Sequence, residues 1–338
     1  TLNTNENPYA PSPELAQAIA DRVHRVATTL NRYPDRDAIA LRTALGKFIN
    51  SLSGTNFAAD SIWAANGSNE IIQSLFMAFG DRPALGFTPS YSMHPLIAKV
   101  IGVNWQDGGR RADFSLDLVK ALNEIATVKP ALTFITTPNN PTGTTVTLDE
   151  IAQLAQAAAQ VNELLIVDEA YAEFSDLPSA VTLINEYANL VVIRTMSKAF
   201  SFAGVRVGYL AAGKEVVDAL QLVRLPYHLS TPTQLLAKVA LEFQGELLAE
   251  VEQLKIERNK VVAELQNLGL TVVPSSANFL LFSIDNEKNV WQELVKVGVL
   301  VRDVGIAGHL RVTIGTPSEN DRFLAALREI LRALKGEK

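Results

Sequence analysis

One lysine stands among hydroxyls, eight residues ahead of an arginine, in the segment Thr195-Met-Ser197-Lys198-Ala-Phe-Ser-Phe-Ala-Gly-Val-Arg206-Val-Gly-Tyr209. The segment follows the apolar run Leu190-Val-Val-Ile193 directly. Thr195, Ser197 and Arg206 make a cup for a phosphate dianion, with the Lys198 amine inside it. An amine beside a bound phosphate is what pyridoxal phosphate requires: the lysine condenses with the aldehyde while the hydroxyls and the guanidinium hold the phosphate. A lone lysine belongs by default on a solvated surface. Here it follows an apolar strand among small residues, where a solvating face makes little sense.

Other residues fit the same chemistry. Asp168 ends the apolar run Leu164-Leu-Ile-Val167, and a carboxylate at that point, facing a pyridine nitrogen, keeps the nitrogen protonated and the ring an electron sink. Taken alone, it reads equally as a helix cap or a solvent-facing acid. Asn140 lies in Pro138-Asn-Asn-Pro-Thr-Gly143, a turn by composition, and its amide is able to donate to a phenolic ring oxygen. Tyr171 either donates to that oxygen or packs. Gly67-Ser68-Asn69-Glu70 opens a helix whose free N–H groups suit a phosphate, although a plain cap explains the same residues.

These residues need a scaffold. The chain has 338 residues, 48% of them apolar and 20% charged, which suits a globular enzyme of about two domains. A net charge of -6 offers no basic field for nucleic acid or an anionic membrane. With no cysteine, disulfides, thiolate nucleophiles and cysteine-based zinc sites are excluded, as suits a cytoplasmic protein. The four histidines, His24, His94, His228 and His309, show no metal-ligand spacing, so no metal is expected and each reads as an isolated surface or pocket residue. No apolar run reaches a membrane span, and the polar opening Thr1–Asn7 has no signal-peptide pattern.

Helices are expected from Ser12-Pro13-Glu14 through Val26, from Leu41 to Gly54, and from Gly67 to Gly80. Short apolar strands are expected at Ala84–Thr88, Ala131–Thr137, Leu164–Val167, Leu190–Thr195 and Val207–Ala211. Their separation by helices or long connections predicts parallel strands covered on both faces. After about Tyr227 the pattern predicts one long helix from Thr233 to Leu268, then strands at Val272-Val273, Asn278–Ile284, Val299–Val304 and His309–Ile314. A helix near Asn289–Val297 and a final one from the Thr316-Pro-Ser-Glu319 box complete the reading. The expected division is an arm and helix at 1–30, a large α/β cofactor domain at 31–230 and a small α+β domain at 231–338.

Taken with Asn3-Thr-Asn-Glu-Asn-Pro8, Arg32-Tyr-Pro-Asp35, Phe87-Thr-Pro-Ser-Tyr91 and Leu310-Arg-Val-Thr-Ile-Gly315, the ordered Asp, Lys and Arg set resembles the fold-type I pyridoxal phosphate aminotransferases over nearly the full chain. Within them it is most similar to the histidinol-phosphate aminotransferases. The resemblance implies a Schiff base on Lys198, Asp168 at the pyridine nitrogen, Asn140 and Tyr171 at the ring oxygen and Tyr91 on the ring face. It places Gly67, Ser68, Asn69, Thr195, Ser197 and Arg206 around the phosphate. Tyr33 then reaches the phosphate of the opposite subunit, making a homodimer part of the site. Arg302 and Arg311 face the substrate's anionic end, helped by Asn7, Tyr9 and Tyr227. The implied reaction passes the amine of a phosphorylated amino alcohol, L-histidinol phosphate, to 2-oxoglutarate. An aromatic aminotransferase, a threonine-phosphate decarboxylase and a cofactor-sensing regulator share the cofactor set; the regulator needs a DNA-binding segment ahead of the first helix.

Overall fold

The computed structural model describes residues 1–335. Seven strands form the main sheet: β1 (Ile62–Ala65), β2 (Ala84–Gly86), β3 (Trp105–Asp107), β4 (Leu132–Thr136), β5 (Leu164–Asp168), β6 (Leu190–Thr195) and β7 (Gly208–Ala211), ordered β1-β7-β6-β5-β4-β2-β3. From β3 across to β6 the pairing is parallel, but β7 is antiparallel to both β6 and β1. The all-parallel expectation is therefore corrected at β7. The β6–β7 connection carries Lys198 and Arg206 and returns with a 3-10 turn (Ala203–Val205) in place of a crossover helix. Two strands were not foreseen. β1 is a short fully buried run, and β3 is a half-exposed edge without alternation.

After α1 (Pro13–Ala27), helices α2 (Ile39–Ser53), α3 (Ser68–Phe79), α4 (Met93–Ile101), α5 (Leu118–Val128), α6 (Leu148–Gln160) and α7 (Lys214–Val223) accompany this sheet. Alternate strand residues face opposite layers, as the period of two requires. Phe134, Ile166 and Ile193 pack with Ile72 and Leu75 of α3 and Val217 of α7, while Ile135, Val167 and Val192 join Leu45 of α2 and Leu154 of α6. The start read at Ser12-Pro13-Glu14 is capped as expected, the Ser12 hydroxyl accepting from the Leu15 N–H at 3.1 Å; α6 opens on a Thr147–Glu150 capping box.

Beyond them, α8 (Thr231–Glu242) packs on α1 and α2, and α9 (Gln244–Asn267), α10 (Glu287–Lys296) and α11 (Pro317–Lys335) gather around a two-stranded antiparallel sheet of β8 (Phe279–Ser283) and β9 (His309–Thr313). The single helix expected from Thr233 to Leu268 is two, because Phe243 leaves helical geometry and its N–H tightens onto Ala240 and Leu241. Val299–Val304 is not a strand: Arg302 alone pairs, with Arg311, before the Asp303 carboxylate turns the chain by accepting from the Gly305 N–H at 2.8 Å. Val272 likewise makes only a bridge, to Phe282. Among the described residues no helix is long and apolar enough to cross a membrane.

Glu163, just ahead of β5, is 2% exposed, and among the described residues neither carboxyl oxygen makes a hydrogen bond of full geometry, the Thr133 hydroxyl being the polar group nearest in effect. Arg82 is the charge nearest in effect, but its guanidinium serves the carbonyls of Lys129, Val161 and Asn162. Burial pushes the Glu163 carboxyl from 4.5 up to about 8. The folded state thus holds a proton that the unfolded chain releases, so stability falls as pH rises from about 4.5 to about 8 and is level above that. Glu163→Gln removes this loss. Its gain over the parent is expected to be small at pH 4.5 and to grow to a few kcal/mol at pH 8.5, at about 1.4 kcal/mol per pH unit across the window. Urea unfolding at the two pH values checks it; a gain equal at both refutes a protonated Glu163.

Candidate active site

The loops after β4, β5 and β6 leave three adjacent strands at the same edge, Thr136 standing beside Asp168 and Asp168 beside Ile193. β1 runs in the same direction as β6, since both are antiparallel to β7, so the start of α3 opens at this edge too. That edge, the carboxyl ends of the parallel strands, is where open α/β sheets place their ligands. A cavity of about 430 Å³ lies there. Its wall includes Ser68, Asn69, Tyr91, Asn140, Asp168, Tyr171, Thr195, Ser197, Lys198, Arg206, Arg302 and Arg311.

At the phosphate end, the Thr195 hydroxyl donates to the Ser197 hydroxyl at 3.1 Å and accepts from the Ser197 N–H. Arg206, at φ 60°, gives its only side-chain hydrogen bond among the described residues to the Ala203 carbonyl, at 3.2 Å. Gly67 lies outside the wall but against it: at φ +83° a Cβ there would sit 2.5 Å from the Arg206 guanidinium, so the position admits only glycine. At Gly208 a Cβ would sit 2.4 Å from the Ser68 nitrogen. The two glycines let the guanidinium and the free N–H groups of α3 converge on one point.

Asp168 is buried, and its Oδ2 pairs with Nε2 of His94 at 3.1 Å. His94 is held by Phe134 at 4.7 Å and, edge on, by Tyr91 at 5.4 Å. This buried partner was missed in the sequence, where His94 had no neighbour to flag it. It lies one helical turn past Tyr91, and only the fold turns that spacing toward Asp168. The Tyr91 hydroxyl donates to Asn69 Oδ1 at 3.1 Å, fixing its ring beside the phosphate end.

Lys198 is half-buried, and its Nζ donates to the Thr4 carbonyl at 3.2 Å. Burial, with Arg311 and Arg206 adding to it against Glu6, pulls the amine from 10.5 down to about 8. Arg311 is 7% exposed; it donates to Asn140 Oδ1 at 2.6 Å and to the Asn3 carbonyl at 2.9 Å, and lies over the Phe279 ring. With the Asn140 oxygen taken, its NH2 group is left to face the cavity. Burial lowers Arg311 to about 10, so it stays charged near neutrality, and its Nε has no partner. Burial also raises Tyr171 to about 12, keeping its phenol a donor.

Three residues expected to line this cavity, Asn7, Tyr9 and Tyr227, are elsewhere, while Tyr33 was expected at the opposite subunit's phosphate and not here. Asn7 and Tyr9 turn away, the Asn7 oxygen accepting from the Tyr9 N–H at 3.0 Å and Tyr9 packing on the core near Glu257 and Glu250. Tyr33, 81% exposed, stacks on Tyr227 at 4.5 Å outside this cavity. In place of Asn7, the cavity takes Asn3, Thr4 and Asn5. The motif Asn3–Pro8 pointed to the right segment, but which asparagine turns inward depends on the left-handed backbone at Asn5, φ 55°.

The donors fit pyridoxal phosphate. Among the described residues a guanidinium without an acid partner, two hydroxyls and a helix start lie at one end; a lowered amine, a buried carboxylate, an amide and a phenol complete the wall. The match to aminotransferase class I and II over residues 1–327 agrees: the chain belongs to that pyridoxal phosphate-dependent family and is a transaminase. Among its relatives, the histidinol-phosphate aminotransferase of Corynebacterium glutamicum (strain R) is 52% identical over 98% of this chain and 91% of its own length. That of Mycolicibacterium smegmatis is 51% identical over 97% and 87%. The solved histidinol-phosphate aminotransferase of Clostridium acetobutylicum superposes with a TM-score of 0.86 at 24% identity, covering 97% of this chain and 98% of that one. The Sinorhizobium meliloti enzyme, solved in complex with pyridoxal-5'-phosphate, gives 0.86 at 22%, covering 98% and 90%; at these identities the likeness is of fold.

Proposed function

We propose that the chain transfers the amine of L-histidinol phosphate to 2-oxoglutarate, giving imidazole acetol phosphate and glutamate in histidine biosynthesis. The observation that carries the substrate is the placing of two arginines, Arg302 and Arg311, in the wall of the Lys198 cavity, joined by a backbone pair with both N–H to O distances at 2.9 Å. A phosphate monoester carries close to two charges near neutrality and matches two guanidiniums better than a single carboxylate does. The relatives above bear the same activity in their names.

Pyridoxal phosphate, when bound, supplies an aldehyde for the amine and a ring that takes up the electron pair freed at the substrate carbon. The protein does the rest. Ser68, Asn69, Thr195, Ser197 and Arg206 anchor the phosphate, Tyr91 covers the ring face, and Asp168, steadied by His94, holds a proton at the ring nitrogen. Asn140 and Tyr171 donate to the ring oxygen. Lys198, whose amine gives up its proton far more readily than an ordinary lysine's, accepts the proton from the substrate carbon and returns it on the other side of the transfer.

The exposed Tyr33–Tyr227 stack supports a homodimer in which each Tyr33 serves the partner's cavity, and residues 31–230 and 231–338 divide as cofactor and substrate-arginine regions. Spectral conversion of the loaded enzyme by a panel of amines tests the substrate: L-histidinol phosphate is expected to react faster than phenylalanine or threonine phosphate. Faster reaction with phenylalanine transfers the assignment to an aromatic aminotransferase.

A further inference from the structure

We propose that Asn5 is a positioning residue that sets the donor strength of the Tyr171 phenol by giving it a hydrogen bond from the N-terminal arm. Asn5 is 1% exposed although it lies near the chain start, and each of its polar groups is engaged. Its Nδ2 donates to the Tyr171 hydroxyl at 3.0 Å. Its Oδ1 accepts from the Thr313 hydroxyl at 2.9 Å, which fixes the amide so that the NH2 group faces Tyr171. The same Thr313 oxygen accepts from the Asn5 N–H at 3.0 Å, and the Asn5 carbonyl accepts from Asn278 at 3.2 Å. A residue in the left-handed region bound so completely is held in one orientation.

The chemical consequence follows from donor and acceptor roles. A hydroxyl that accepts a hydrogen bond becomes a stronger donor, and with its lone pair occupied by Asn5 the Tyr171 proton turns into the cavity. There it meets the ring oxygen under the cofactor reading above, on which this proposal rests. Leu2, tied to the Leu300 carbonyl and the Thr313 N–H, keeps the arm in register, so the position of β9 is transmitted to Tyr171 through one side chain.

The test is a pH titration of the visible absorbance of the cofactor-loaded protein. Asn5→Gly removes the donor without straining a left-handed backbone. It is expected to move the midpoint upward by about 0.5–1 pH unit, the worth of one ordinary hydrogen bond. Asn5→Asp, which accepts but cannot donate, is expected to move it at least as far, and Thr313→Val, which frees the amide to rotate, by a smaller amount in the same direction. With Tyr171→Phe as the background, Asn5→Gly is expected to leave the midpoint in place. Thermal unfolding accompanies each variant, and if Asn5→Gly does not fold, Thr313→Val carries the test. A midpoint unmoved in the folded variants, or one that moves equally without the Tyr171 hydroxyl, overturns the proposal. A parent protein that takes up no pyridoxal phosphate and has no visible band overturns the cofactor reading itself.

Discussion

Lys198→Ala is expected to reduce kcat by at least about 10²–10⁴, the usual contribution of a positioned general base, with the added loss of the covalent anchor for the cofactor. Three facts place this lysine apart from the others. It follows β6 at the ligand-binding edge, it faces a cavity wall that also carries Asp168 and Arg206, and its amine is brought to about 8. An ordinary lysine near 10.5 is almost wholly charged at neutrality and can neither attack an aldehyde nor take a proton. Burial and the two arginines supply the change. The same fact gives a pH dependence: the rate at which the cofactor-free protein takes up pyridoxal phosphate should rise toward a plateau above about pH 8, as the amine loses its proton. Borohydride reduction of the loaded protein followed by peptide mapping should find the label on Lys198. A label on another lysine, or uptake unchanged in Lys198→Ala, refutes the role.

Much of this was legible in sequence because the chemistry sits where local pattern is strongest. β5 and β6 are buried on every residue or nearly so; Asp168 ends the first, and Lys198 follows the second within one turn of chain. Caps and glycines marked the helices that frame them. What was not legible depends on long-range pairing. β7 looks like any other apolar strand, and its reversal follows from a connection too compact for a crossover helix. His94 becomes a partner of Asp168 only when α4 is laid against the sheet. Asn5, and not Asn7, enters the cavity because Thr313 and Asn278 grip it from the second sheet, 308 and 273 positions along the chain. Tyr33 and Tyr227 stack on each other, a contact that no motif in either segment announces.

Arg311→Ala is expected to lower kcat/KM for L-histidinol phosphate by about ten- to a few hundredfold, from charged hydrogen bonds worth roughly 1.5–3 kcal/mol. Arg302→Ala should cost less. Arg311 is buried at 7% exposure, so the charge it offers is weakly screened, whereas Arg302 is exposed and its attraction is shared with solvent. The two are not equivalent in a second respect. Arg311 also holds Asn140 Oδ1 at 2.6 Å, and removing it frees that amide, the proposed donor to the ring oxygen, to rotate. Part of the Arg311→Ala loss should therefore fall on kcat and be seen with phenylalanine as well, while the Arg302→Ala loss should fall on KM and be confined to the phosphorylated substrate. Arg311→Lys is expected to recover little, because a single ammonium cannot reach Asn140, the Asn3 carbonyl and the substrate together as the guanidinium fork does. Steady-state kinetics of the three variants on L-histidinol phosphate and phenylalanine decide the matter. Equal losses on both substrates in Arg302→Ala would remove the phosphate-recognition role and leave Arg302 and Arg311 as a carboxylate site.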